Sequence, residues 1–311
     1  MDFQRLPNIE SAKFYMDTAI GRAAKIKDGG NNTKARMKIQ TVHDFLDQAL
    51  DKIVNRFPHL DTMVPFYKEL FESVFDYDRT KKSLGALIWA RQQKSRLFRT
   101  FQRELRDIED PTRYPGIIRR YYGRTLSVMK QIDSDLKYLR ETLKGLRDFP
   151  TIKNVPTIAI AGFPNVGKTT LLGELTGSHA EVANYAFTTK GINVSYLDGV
   201  QILDTPGTLN RVDKMNKVEY FAHLSLKHVA DVIVYIFDPT ETYPLEEQIL
   251  LYQKVLDHSK PVYVYVSKLD IAKMPKELEK YDIVDMEGLK KIAFDMVKDF
   301  VPVKRVKKKK R

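Results

Sequence analysis

The sequence predicts two dissimilar domains in tandem. An all-α helical bundle comes first, and an α/β domain follows, with a mainly parallel sheet and helices on both faces. Three observations predict this. Apolar residues recur at helical spacing up to about position 150, and short β-branched runs alternating with helices come after it. A Gly-x-x-x-x-Gly-Lys-Thr signature then falls between one such run and a helix. The chain has 311 residues, of which 43% are hydrophobic, enough to bury a core in each part.

In the first part, Val42, Phe45, Leu46, Leu50, Ile53 and Val54 mark one face of a helix, with Thr41 as its expected N-cap. Phe57, Leu60, Val64, Pro65, Phe66 and Tyr67 are expected to form a packed corner after it. A further helix is expected from about Lys81 to Asp107. The single tryptophan, Trp89, lies in its apolar pattern and reads as core rather than as a base-stacking platform. Met129, Ile132, Leu136, Leu139, Leu143 and Leu146 alternate steps of three and four, the spacing of a coiled-coil seam, here expected to pack within the bundle. Phe149-Pro150 stops that helix. The expected domains are therefore 1–150 and 151–303, followed by a basic tail at 304–311.

In the second part, Thr157–Ala161, Val194–Leu197 and Val200–Leu203 read as strands, the last two joined by a hairpin at Asp198-Gly199. Asp231–Phe237 and Pro261–Val266 read as buried strands of a parallel sheet.

Gly162-Phe-Pro-Asn-Val-Gly-Lys-Thr169 directly follows the first of these strands and opens a helix expected over Thr170–Leu175. Glycines at those positions let backbone N–H groups wrap phosphates, and the helix N-terminus adds partial positive charge. Gly162, Pro164, Asn165, Val166, Gly167, Lys168, Thr169 and Thr170 are the expected nucleotide-cradling residues. Lys168 would reach the β- and γ-phosphates, and the Thr169 hydroxyl would hold Mg²⁺. This places the second part in the P-loop class.

Three downstream segments fall in the right order for a P-loop GTPase domain. Asp204-Thr-Pro-Gly207 lies at a strand end, 35 residues after Thr169, where Asp204 can hold the magnesium ion and the Gly207 N–H can sense a γ-phosphate. Between them, Thr189 stands where a switch segment supplies a second magnesium ligand. Lys168, Thr189 and Gly207 form the expected catalytic set. Ser267-Lys-Leu-Asp270 follows a strand at the place of a guanine-reading Asn-Lys-x-Asp. Asp270 would accept from guanine N1–H and the exocyclic amine, donors that adenine lacks on that edge, and the Lys268 stem would cover the base. Ser267 is a departure, and one missing side-chain hydrogen bond implies weakened affinity, by roughly 0.5–1.5 kcal/mol. Tyr281–Gly288 occupies the place of the last base-contacting loop without its usual Ser-Ala.

Charge divides the chain. Residues 1–150 carry 29 Lys and Arg against 20 Asp and Glu, residues 151–303 carry 16 against 20, and the last eight residues carry seven basic groups. A basic arm and tail suit a polyanion, nucleic acid first and an anionic membrane second; solvated basic helix faces are the plain alternative. Arg91, Lys94, Arg96, Arg99, Arg103 and Arg106 are the first candidates for phosphate contacts. The tail also reads as a nuclear-import signal if the source has a nucleus. With no cysteine, disulfides and thiolate metal sites are excluded, and a cytoplasmic location is expected. His179, His223 and His228 lack metal-ligand spacing. No apolar run is long enough for a membrane span, and a monomer is expected.

The phosphate loop, with Asn184-Tyr-Ala-Phe-Thr-Thr-Lys190 and Asp204-Thr-Pro-Gly207, resembles the Obg-related translation-factor GTPases, and among them the nucleolar GTP-binding (Nog) proteins and their short archaeal relatives. Pro65-Phe-Tyr67, Phe75-Asp-Tyr-Asp78 and Tyr121-Tyr-Gly-Arg124 look like segments of that family's helical N-terminal domain. The resemblance implies GTP hydrolysis coupled to large-ribosomal-subunit assembly, with ribosomal RNA and the subunit precursor as partners, and a nucleolar location where there is a nucleus. Thr208 stands where many related GTPases place a water-orienting glutamine, so slow hydrolysis is expected. Asn165 matches the asparagine that helps hold K⁺ in related GTPases; a loop-shaping side chain is the other reading. A non-enzymatic RNA-binding module with a structural or very slow GTP switch is the alternative function.

Overall fold

The computed structural model describes residues 3, 6–27, 29–149, 151–177, 181–183, 192–205, 217–240 and 242–300. Pro150, His179, the 184–190 motif with Thr189, Gly207, Thr208 and the 304–311 tail lie outside the described residues. The chain divides into two compact units, one formed by 2–63 and 71–147, the other by 64–70 and 148–311.

The first unit is helical. Helix α1 (Ala12–Ala24) starts at Ser11, whose hydroxyl accepts from the Phe14 N–H. Helix α2 spans Asn31–Arg56. It begins eleven residues before the expected start, with Gly30 as N-cap and Thr41 well inside. The reason is that Ala35 and Ile39 extend the buried stripe of Val42, Leu46, Leu50 and Ile53 backwards, so burial of one continuous face outweighs the capping preference of a threonine. Past a 3-10 turn at Leu60–Thr62, helix α3 (Pro65–Val74) begins within the stretch that belongs to the second unit. Phe57, Leu60, Phe66 and Tyr67 of the expected corner are buried, whereas Val64 and Pro65 are exposed.

Helix α4 (Tyr77–Asp107) is capped by Asp76, which accepts from the Arg79 N–H, and it packs against α2. It also packs against helix α5 (Tyr114–Gln131) and helix α6 (Asp133–Arg147). Every member of the Met129-to-Leu146 seam is buried, yet the seam runs over two helices rather than one. The break is at Ile132, with φ −100° and ψ 7°, and the Asp133 carboxylate beyond it accepts the Ala12 N–H at 2.7 Å. A core residue at the junction keeps the apolar spacing intact, so periodicity alone does not register the break.

Trp89 is not core: it is 38% exposed. The inner stripe of α4 is Thr80, Ser83, Leu87, Ala90, Lys94, Phe101 and Leu105. Trp89 lies two residues, about 200°, beyond Leu87 and so faces outward.

The second unit holds a six-stranded sheet in the order β2-β3-β4-β1-β5-β6. Its strands are β1 (Thr157–Ala161), β2 (Glu181–Ala183), β3 (Ile192–Leu197), β4 (Val200–Asp204), β5 (Val232–Phe237) and β6 (Val262–Val266). Strand β1 pairs in parallel with β4 and β5, and β5 in parallel with β6; the β2–β3 and β3–β4 pairs are antiparallel. Asp198 and Gly199, at φ 46° and 94°, make the tight turn of the β3–β4 hairpin. The three-residue edge strand β2 was not foreseen, being too short to carry a period. Strands β1, β4 and β5 are buried along their whole length; β5 accordingly reads as an unbroken apolar run, while β4 buries Gln201 and Asp204 as well.

Helices α7 (Lys168–Thr176), α8 (Lys217–Leu224), α9 (Leu245–Leu256) and α10 (Met286–Asp299) complete the unit. Leu171, Leu172 and Leu175 of α7, Leu251 and Val255 of α9, and Leu289 and Ala293 of α10 join the core of the sheet. From α8 the chain continues as a π-helical turn, Ser225–Val229, so that Leu226 also enters this core. Central β1, between β4 and β5, brings the chain segments that follow all three strands to one edge, where ligands of parallel sheets bind.

Candidate functional site

The phosphate loop leaves β1 and enters α7 without a side-chain cap. Gly162 takes φ +147°, and a Cβ there would meet the Ile236 carbonyl oxygen at 2.8 Å, so only glycine lets the loop start this close to β5. Gly167 takes the left-handed conformation, φ +98°, that turns the chain into α7. Asn165 also has positive φ, 61°, a conformation asparagine tolerates, so backbone geometry by itself accounts for this residue type. Phe163 and Val166 are buried and anchor the loop on the core.

Lys168 is 7% exposed, and its Nζ donates to the carbonyls of Gly162 and Phe163 at 3.1 and 2.6 Å. Burial pulls this ammonium down to about 8, against the opposing pull of Asp204. The hydroxyl of Thr169 donates to Asp204 Oδ2 at 2.7 Å. Two sequence-predicted metal ligands, 35 positions apart, are thus brought together. Parallel pairing of Ile160 with Asp204 sets this register, and the Thr205 N–H and hydroxyl both donate to Ile160 O, at 3.1 and 2.7 Å.

Beside the loop lies a cleft of about 610 Å³. Gly167 and Thr170 line one side, and Ser267, Lys268 and Asp270 another. Ser267 is buried. Its N–H and hydroxyl both donate to Phe237 O, at 3.0 and 3.2 Å, and its Cβ sits 3.6 Å from where a Cβ on Gly167 would lie. The serine therefore joins the end of β5 to the phosphate loop. Lys268, at φ 56°, sends its Nζ to Asp238 Oδ2 at 2.5 Å. Asp238 is itself fixed by Thr240 and by Gln248. Burial raises the Asp238 carboxyl, but its bonds from Lys268 and Thr240 outweigh that and hold it below the usual range. Asp270 is exposed on the cleft wall.

The opposite wall comprises Val284, Asp285 and Met286, where the sequence offered no assignable residue. Ile283 bridges Val264 in parallel, the Val284 N–H donates to Val264 O at 2.9 Å, and Asp285 caps α10 through the Gly288 N–H. The signal available in sequence was that helix cap, three residues before a glycine. Glu174 and Tyr265 also line the cleft and were not foreseen.

Comparison with known proteins agrees with this geometry. Residues 3–153 match the model of the NOG1 N-terminal helical domain, and residues 157–268 match that of the 50S ribosome-binding GTPase. The chain is 34% identical over 283 residues to an uncharacterized protein of Methanocaldococcus jannaschii, covering 86% of this chain and 81% of that one. It is 34% identical over 289 residues to nucleolar GTP-binding protein 1 of Drosophila melanogaster, covering 87% of this chain and 44% of that one. The chain belongs to the nucleolar GTP-binding protein family. For the Saccharomyces cerevisiae member the identity is 26% over 311 residues, and the match covers 94% of this chain and 48% of that one. It thus spans less than half the length of these two eukaryotic relatives.

In this family member the basic face of α4 is narrower than the sequence suggested. Arg91 turns inward, bonding Asp47 at 3.0 and 3.1 Å and Asp51 at 2.6 Å. Lys94 is fully buried, its Nζ 3.7 Å from Asp47. Lys94 lies within the buried stripe of α4 and Arg91 beside it, so these two cations are withdrawn from the surface. Arg96, Arg99, Arg103 and Arg106 remain exposed, with no ion pair among the described residues. Among the described histidines, His228 bonds Glu69 at 2.9 Å, alongside Lys227, an ordinary ion-pair cluster. No helix among the described residues is long and apolar enough to cross a membrane.

Proposed function

We propose that the chain binds GTP with magnesium, hydrolyses it slowly, and acts in assembly of the large ribosomal subunit by binding its RNA. One observation carries the nucleotide part: Gly167, at the end of the phosphate loop, and Asp270 line a single cleft of about 610 Å³, and Thr169, two residues on from Gly167, bonds Asp204. Phosphates would lie on the loop N–H groups, and the base between the Lys268 stem and the 284–286 wall.

Thr169 and Asp204 are hard oxygen donors of the kind magnesium takes, few in number and leaving room for water. Magnesium held there would neutralise charge on the β- and γ-phosphate oxygens. Lys168 would swing from the loop carbonyls to those phosphates, its buried ammonium gaining an anionic partner. In hydrolysis a water attacks the γ-phosphorus, the bond to the bridging oxygen breaks, and GDP carries away the charge that Lys168 and the loop N–H groups stabilise. With Thr208 in place of a glutamine, the water-orienting group must come from another residue or from the ribosomal particle. Asp270 would read guanine. Ser267, committed to Phe237 O, has no hydroxyl proton left for the base, in keeping with loose binding.

The ribosomal part rests on the family and on the four free arginines of α4. It is the relatives, by name, that are nucleolar and GTP-binding. Multiple-turnover phosphate release, with and without large-subunit particles, tests the whole reading. The Asp270→Ala variant should bind GTP about 10-fold to 100-fold more weakly, the loss of a charged hydrogen-bond acceptor, while its ATP affinity stays unchanged. Equal GTP and ATP affinities in the parent protein would sink the guanine assignment. A complete lack of turnover even with particles would leave only a binding switch.

A further inference from the structure

We propose that Trp89 is a stacking platform for an unpaired RNA base, placed at the end of an arginine track along α4. This rests on the RNA-binding reading above and names the class of RNA it would take: a strand or loop with an unstacked base, rather than continuous duplex.

Several observations converge. Trp89 is 38% exposed and its neighbour Ile88 42%, on a helix whose inner face is otherwise well buried. The indole makes no ring or cation contact among the described residues, and part of this large π-system meets solvent. On an α-helix, positions 89, 96 and 103 lie within about 40° of one another, while 99 and 106 are rotated about 80° and 100° from 89. Trp89, Arg96 and Arg103 therefore form one stripe, roughly 21 Å long at 1.5 Å per residue, with Arg99 and Arg106 along one flank of it. Helical side chains lean toward the N-terminus, over the residue four positions earlier. For Trp89 that residue is Gly85. A Cβ added there meets nothing within 4 Å, so neither close packing nor positive φ requires glycine. Glycine in a helix interior is unfavourable by about 1 kcal/mol against alanine. The side of α4 one turn before Trp89 is therefore open to solvent.

Aromatic rings exposed beside a basic track recognise splayed bases by stacking, while the cations follow the backbone. Cations collinear with the ring favour a polyanion over an apolar protein surface as the occupant. Arg91 and Lys94 are held inward, so the cations that remain exposed between positions 91 and 106 of α4 are Arg96, Arg99, Arg103 and Arg106.

Trp89 is the only tryptophan in the chain, so its fluorescence reports this position alone. The full chain would be titrated with an RNA hairpin bearing an unpaired purine loop, with a fully paired duplex of equal length, and with the hairpin made abasic in the loop. Stacking is expected to quench the emission with the purine-loop hairpin, and with neither of the others. Trp89→Ala should weaken the hairpin about tenfold or more and the duplex hardly at all, with Trp89→Phe recovering part of the loss. Gly85→Leu, which puts a bulky side chain on that open turn and suits a helix, should raise the melting temperature yet weaken the hairpin as Trp89→Ala does. Binding of hairpin and duplex alike, with unchanged emission and no effect of Trp89→Ala, would overturn the platform and leave RNA binding standing. If no RNA bound at low salt while large-subunit proteins shifted the emission, the face would be a protein-docking surface, and the RNA reading would fall with the platform.

Discussion

Gly162 concentrates much of the site in one residue. Its φ of +147° and its approach to Ile236 O leave no room for a side chain, and the blocking atom is backbone. Gly162→Ala should therefore strain the loop by about 1–3 kcal/mol, lowering the melting temperature and abolishing detectable binding of a fluorescent GTP analogue. Retained affinity would mean that the loop re-forms elsewhere. Gly162, Lys168, Thr169 and Asp204 were all legible in the sequence, because each has a chemical requirement that few residue types meet. The commitment of Ser267 to Phe237 O was not, since a hydroxyl can serve either partner and only the packed position of β5 decides.

At the scale of elements, the α2–α4 contact holds a cation that its surroundings penalise. Lys94 is fully buried, its Nζ has no hydrogen-bond partner, and burial pulls it down to about 8 although Asp47 pulls the other way. Arg91 keeps Asp47 ionised independently, its hydrogen bond lowering that carboxyl against the effect of burial. Lys94→Met should thus stabilise the protein by roughly 1–3 kcal/mol at pH 7, seen in denaturant unfolding. The folded lysine has the lower pKa. The penalty is accordingly present in full below pH 8 and disappears as the pH rises from about 8 toward the unfolded value of 10.5. The stability gap between Lys94→Met and the parent should close across that window. A gap constant with pH would mean that Lys94 is neutral or solvated in the fold. The helix itself was readable from periodicity, but its inner lysine was not, because a charged residue is counted as surface unless its neighbours are known.

At the scale of the molecule, charge is segregated, with a basic first part and tail around a mildly acidic middle. RNA affinity should therefore fall steeply with salt. Arg103→Ala and Arg106→Ala should each lower the slope of log affinity against log salt by about 0.7–0.9, without changing preference among RNA sequences. Arg91→Ala, whose partners are Asp47 and Asp51, should leave that slope unchanged. Filter binding from low to moderate salt would measure all three, and an equal effect from Arg91 would show that its ion pairs open on binding.

The sequence by itself determined the tandem of helical bundle and P-loop domain, the phosphate loop and the order of the motifs after it. Each of these is written in local spacing or in residue types with few substitutes. The tertiary structure alone decided which lysines and arginines face water, that Trp89 points outward, where the 129–146 seam breaks, and that Val284–Met286 lines the same cleft as Gly167 and Asp270. These depend on which surfaces are buried against one another. Burial is a property of the packed chain, and one-dimensional periodicity reports only a face, not what covers it.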